Sequence, residues 1–197
     1  LPDISTFGNN RHWLPAITES EICSLIDSSF AELFRADMDL FTLGVDGISE
    51  QTLTFRLGHY LQKRFTGYNV DCEYNRYLDG LKNDEQVDQE WMKPDIIVHW
   101  RRRNDQNLLV IEAKKARRWP ADWPKTESKL AAFTRRPGKY EYRLGLAWKI
   151  AASGDATQHE AIWFKLGNVV AHTSLQGGAE KFIERSVLNV DSMLSRG

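Results

Sequence analysis

Two apolar runs, KPDIIVHWRR at 93–102 and NLLVIEAKK at 107–115, stand on either side of the polar turn RNDQ and constrain this chain more than any other feature. Each has the length and the Ile/Val/Leu content of a buried strand, and a polar connection this short joins antiparallel neighbours, so the pair predicts a buried β-hairpin. Side chains alternate along a strand, which sets Glu112 and Lys114 on one face, a carboxylate beside an amine. With a four-residue loop from Arg102 to Asp105, Arg101 faces Gln106, and counting back puts Asp95 opposite Glu112. Two acids and a lysine then converge on an otherwise apolar hairpin.

Burying two carboxylates and an ammonium costs free energy unless something pairs or neutralises them. A divalent cation does so. Two carboxylates and the main-chain carbonyl of Ala113 leave coordination positions for water and a phosphate oxygen, the usual manner of holding a hard ion such as Mg²⁺, with Mn²⁺ able to substitute. Such an ion lowers the pKa of bound water, while Lys114 positions the nucleophile and offsets charge developing on a phosphodiester. The bland alternative is a structural ion pair at the ends of two strands. An acid-x-base triplet arises roughly 3 to 4 times by chance in a chain of this composition, so the triplet alone decides little. Its setting decides more: a Pro-Asp pair opens one strand and Glu-Ala-Lys closes the other.

In these residues the chain resembles the PD-(D/E)xK nuclease superfamily, also called restriction-endonuclease-like, with Pro94, Asp95, Glu112 and Lys114 matching its motif position by position. The resemblance implies an α/β fold, a central mixed sheet flanked by helices with core order αβββαβ over about residues 49–152. It also implies a metal-dependent nuclease acting on nucleic acid, DNA in the first instance, with Asp95, Glu112 and Lys114 catalytic. In many members an acid on the first core helix helps to bind the metal, and Glu50 is the candidate here. The metal set so implied is Glu50, Asp95, Glu112 and the Ala113 carbonyl. The superfamily also includes silent members, so the competing expectations are a nuclease-like fold kept as a nucleic-acid-binding or scaffold module, or an accessory domain of a defence or mobile-element protein.

The rest of the sequence fits one mixed α/β domain of 197 residues, with 1–48 as an amino-terminal helical extension and 153–197 as a closing strand and helix. Thr18 and Glu21 have capping-box spacing, and Ile22, Leu25, Ile26, Phe30, Leu33 and Phe34 recur at helical intervals, which predicts a helix over 18–36. The glycines and acids of DMDLFTLGVDG predict a connecting loop. Ser49 as N-cap, followed by Leu53, Leu57, Tyr60 and Leu61, predicts a second helix over 49–66, ended by Gly67. YNVDCEYNRYL reads as a strand and GLKNDEQVDQE as a loop. Beyond the hairpin, 122–135 reads as a helix, YRLGLAWKIA and EAIWFKLG as strands, and GGAEKFIERSVLNVDSML as a terminal helix.

With a net charge of −1, nucleic-acid binding has to come from local clusters. Lys115, Arg117 and Arg118 continue from the proposed site and form the expected phosphate-binding rim, whereas Arg101 to Arg103 lie at the far end of the hairpin. Trp119 and Trp123 read as packing rather than base-stacking residues. None of the five histidines has metal-ligand spacing. His99, on the Asp95 face, reads as a core histidine ahead of a role supporting the site. Cys23 and Cys72 read as reduced thiols, no apolar stretch has the length of a membrane span, and the amino end lacks signal-peptide character. The expectation is therefore a cytoplasmic protein off the membrane, with homo-oligomerisation left open.

Overall fold

The computed structural model describes residues 17–42, 49–74, 76–77, 80–81, 93–101, 103, 105–115, 123–153 and 156–176. The first helix, α1 (Glu19–Ala36), starts where the sequence says it should. Thr18 accepts from the Glu21 N–H, and Glu21 returns the bond to the Thr18 N–H, satisfying two of the donors that a helix start leaves open. Its apolar stripe of Ile22, Ile26, Phe30, Leu33 and Phe34 is buried.

The segment expected to be a loop instead turns once more as α2 (Met38–Thr42). Phe41 explains the difference: it is buried against Phe34, ring centroids 4.7 Å apart, and apolar burial outweighs the loop-forming character of its neighbours. The glycine-containing remainder, 43–48, lies outside the described residues.

Next comes α3 (Glu50–Arg64), capped by Ser49, which accepts from the Thr52 N–H. Leu53, Leu57, Tyr60 and Leu61 are buried. The two long helices are tied by Asp37, whose carboxylate accepts from Arg56 Nε at 2.9 Å and from the Tyr60 hydroxyl at 2.7 Å.

The expected strand at 68–78 is split. β1 (Asn69–Cys72) stops at Glu73, whose φ of +51° is incompatible with an extended strand, and β2 (Arg76–Tyr77) and β3 (Gly80–Leu81) form a separate small ribbon. The hairpin strands follow as β4 (Ile96–His99) and β5 (Leu109–Lys115), then α4 (Trp123–Thr134), β6 (Leu144–Ser153), β7 (Ala156–Lys165) and β8 (Asn168–Gln176).

β8 corrects the expected ending of one strand and a helix. Leu166 and Gly167, both at positive φ, make a two-residue turn that folds β8 back on β7 with Lys165 paired to Asn168. The terminal helix predicted from GGAEKFIERSVLNVDSML falls outside the described residues.

Six strands form one mixed sheet in the order β1-β4-β5-β6-β7-β8. All its pairings are antiparallel except β5 with β6, which needs a crossover, and α4 supplies it. Alternation then builds two cores. Ile96, Val98, Leu109, Ile111, Leu146 and Trp148 face α1 and α3, whereas Ile97, Val110, Ala147, Ile162 and Phe164 face α4. Among the described residues no helix is long and apolar enough to cross a membrane.

α4 packs most tightly at Gly145, where a Cβ would stand 3.0 Å from Thr134 Cγ2 and 3.1 Å from Phe164 Cβ. Gly145→Val is expected to destabilise the fold by about 1–3 kcal/mol through overpacking, despite valine's preference for strands. Chemical denaturation measures this, and an unchanged midpoint would mean that α4 does not sit against β6 as described.

Candidate active site

The register of the hairpin decides whether a site exists. Ile96 pairs with Ile111 and Ile97 with Val110, and extending this by one residue sets Asp95 opposite Glu112, as counted from the sequence. The turn itself differs from the count. The Trp100 N–H donates to the Gln106 carbonyl, a pairing one residue out of step, and the offset is made up where Val98 accepts from Leu108 but pairs with Leu109. An additional residue on the second strand, in the manner of a β-bulge, restores the register before the acids are reached.

Asp95 is held by the hairpin itself: its Oδ2 accepts from the Ala113 N–H at 2.7 Å. The same extended register sets Pro94 opposite Ala113, and proline has no N–H with which to occupy the Ala113 carbonyl. Burial raises the Asp95 carboxyl above its ordinary value, against the Ala113 hydrogen bond and the charges of Lys114 and Lys129; the Glu50 charge adds to the rise.

Glu112 is buried more deeply still, at 3% exposure. Loss of water pushes its carboxyl up to about 7, the Lys129 charge opposing this and the Asp95 charge adding to it. Lys129 Nζ lies 2.8 Å from Glu112 Oε1, an ion-pair contact. The same ammonium donates to the Lys93 carbonyl at 2.7 Å.

Lys114 shares the face of Glu112, and its ammonium turns to Glu50 Oε1 at 3.4 Å. Burial alone would lower its pKa, but the charges of Glu50, Asp95 and Glu112 outweigh that and hold it above the ordinary lysine value. Glu50, in the first turn of α3, also accepts from the Lys115 N–H at 2.9 Å through Oε2. The start of α3 is thereby fastened to the end of β5.

Asp95, Glu112, Lys114 and Glu50 are thus brought together at one end of the sheet. Glu50 stands against the lysine and the strand backbone. Among the described residues no group of three or more His, Cys, Asp and Glu side chains is arranged to hold a metal ion. The donors that fit a hard cation are the partly buried carboxylate of Asp95, the buried one of Glu112 and the Ala113 carbonyl, an all-oxygen set.

Other sequence expectations separate. Lys115 is partly buried at the end of β5, while Arg117, Arg118 and Trp119 lie outside the described residues. Trp123 is buried in the α4 core, as expected of a packing residue. His99 is a core histidine whose Nε2 lies 2.9 Å from Asp71 Oδ2; Asp71 also pairs with Arg101. Arg103 is paired with Asp105. These hairpin-turn arginines are engaged in local ion pairs away from the acids.

Two lysines escaped the sequence reading. Lys129 falls between Thr126 and Phe133 on the buried stripe of α4, and a lysine at such a helical interval was the available signal. Lys149, beside Lys114 in the parallel register, is buried and stands 3.3 Å from Glu160 Oε1. A charge in the middle of the apolar run LGLAWKIA was its signal. Comparison with known proteins supplies no relative: no family model, curated protein or solved structure matches the chain.

The raised Glu112 carboxyl has a consequence for stability. Its ordinary value is 4.5 and its value in the fold about 7, so the folded chain holds this proton more tightly than the unfolded one. That contribution is complete below 4.5 and is lost as pH rises through about 7, a loss on the order of 3 kcal/mol. In chelator, stability is expected to fall over this window, and Glu112→Gln should flatten the fall. An equal slope in both chains would contradict a protonated, buried Glu112.

Proposed function

We propose that this protein is a metal-dependent nuclease of the PD-(D/E)xK type, hydrolysing phosphodiester bonds of nucleic acid, DNA in the first instance. The observation that carries the reading is the hairpin register, which sets Asp95 opposite Glu112 with Lys114 two residues on. Further support comes from the order α3, β1, β4, β5, α4, β6, which, with the separate β2–β3 ribbon left out as an insertion between β1 and β4, follows the αβββαβ core of that superfamily.

Asp95, Glu112 and the Ala113 carbonyl would hold Mg²⁺ or Mn²⁺. When bound, the ion supplies a polarised phosphate oxygen and a water of lowered pKa. Lys114, kept charged by three carboxylates, orients the attacking water and offsets the charge that develops on the phosphoryl oxygens. Glu50 positions that lysine, since its two oxygens contact Lys114 Nζ and the Lys115 N–H; direct metal ligation would have to disturb these contacts. Lys115 begins the phosphate-binding rim that Arg117 and Arg118 continue in sequence.

A second reading has an observation of its own. The Lys129–Glu112 pair neutralises the buried acid without any metal, as a silent fold retained for binding would require. The two readings separate on turnover. A nuclease cleaves DNA only with Mg²⁺ or Mn²⁺ present, and Asp95→Ala or Lys114→Ala should lower the rate by about two orders of magnitude or more. Cleavage unchanged in Asp95→Ala removes the assignment, and nucleic-acid binding without any cleavage or metal uptake favours the silent module.

A further inference from the structure

Lys114 is the lysine that the motif supplies, yet the ammonium against Glu112 belongs to Lys129. Lys114 Nζ lies at Glu50, whereas Lys129 Nζ lies 2.8 Å from Glu112 Oε1. Lys129 approaches from α4, and its side chain is 11% exposed. Its ammonium also donates to a neutral carbonyl, that of Lys93, two residues before Asp95.

The charges around the acids bound what else can enter. Asp95 and Glu112 together carry at most two negative charges; Lys129 sets one positive charge directly against Glu112, and Lys114, paired with Glu50, adds its field from the other side. A buried monocation at ion-pair distance has two effects on an arriving dication: it occupies part of the acceptor capacity of Glu112, and it repels the ion through a medium that screens poorly. Both effects weaken binding. A purely structural clamp acts the other way, because an ammonium shared by the Lys93 carbonyl and Glu112 would hold the two acids in place, so that its loss would weaken metal uptake.

We propose that Lys129 is a resident cation of the site that competes with the divalent ion for Glu112 and so sets the affinity for metal. The proposal rests on the reading of Asp95 and Glu112 as metal ligands. On binding, Lys129 surrenders its place at Glu112 in whole or in part, and the aliphatic stem remains packed on α4. The role is one of competition for a ligand, distinct from that of Lys114 toward the phosphate.

The test is Mn²⁺ binding to the whole chain without nucleic acid at pH 8, read as free Mn²⁺ by electron paramagnetic resonance and as heat by calorimetry. Lys129→Met keeps the stem, Lys129→Gln keeps a hydrogen-bond donor, and Lys129→Arg keeps the charge; circular dichroism selects the folded chains. At least tenfold tighter binding in both neutral variants, with Lys129→Arg near wild type, is the expected result. If only one neutral variant folds, the comparison is made on that one. Unchanged binding in the neutral variants overturns the proposal, and weaker binding overturns it and leaves Lys129 a clamp. A different pattern overturns the reading beneath it: if Asp95→Asn and Glu112→Gln bind Mn²⁺ as wild type does, or no chain binds it, the ion does not belong between these acids.

Discussion

A carboxylate shut away from water midway along β5 is the constraint on which the arrangement around it depends. Moving an ionised acid into a protein interior costs several kcal/mol, and Glu112 can sit there only if it keeps its proton or is given a cation. The fold makes partial use of both. Its carboxyl is raised to about 7, and the Lys129 ammonium stands 2.8 Å from one oxygen.

The neighbouring elements are fixed by bonds that would have little purpose away from these acids. Ala113 donates to the Asp95 side chain where an ordinary ladder would offer it a main-chain carbonyl, and Pro94 removes the donor that would otherwise return. At the other side of the strand end, Glu50 bonds the Lys115 N–H and draws the start of α3 onto β5. Farther along, Gly58 lets that helix approach β1 so closely that a Cβ would stand 2.8 Å from Cys72 Sγ. Helix position, strand register and the direction of Lys114 are therefore coupled.

What could be read in the sequence were the features that local rules determine. Alternation fixed the common face of Glu112 and Lys114, capping chemistry fixed the starts of α1 and α3, and strand counting put Asp95 opposite Glu112. The count reached the right partner although the turn pairs Trp100 with Gln106, because an added residue near Leu108 cancels the difference. Features set by tertiary packing were harder to see. α2 exists because Phe41 finds Phe34, and β8 depends on a positive φ at Leu166, a residue type that rarely announces such a turn. Lys129 is the most instructive omission, since its meaning lies in Glu112, a residue on another element.

The same geometry explains why polar residues gather at one corner of a sheet whose two faces are otherwise apolar. At its carboxyl end α4 packs on β6 at Gly145, and by Lys129 it has reached Glu112 on β5 and the carbonyl of Lys93 ahead of β4. The helix thus crosses the sheet obliquely. With 12 residues it extends about 18 Å, whereas a strand of 10 residues such as β6 extends about 33 Å, so α4 cannot follow the strand to its end. Lys114, Lys149 and Glu160 form a row across β5, β6 and β7 on the side that α4 has left. Charged side chains there need pairing with one another, and Lys149 and Glu160 do pair. Lys114, at the inner end of the row, has its nearest carboxylate on α3 and its field on the two acids. Lys114 therefore stands between the Lys149–Glu160 ion pair and the carboxylates of Asp95 and Glu112.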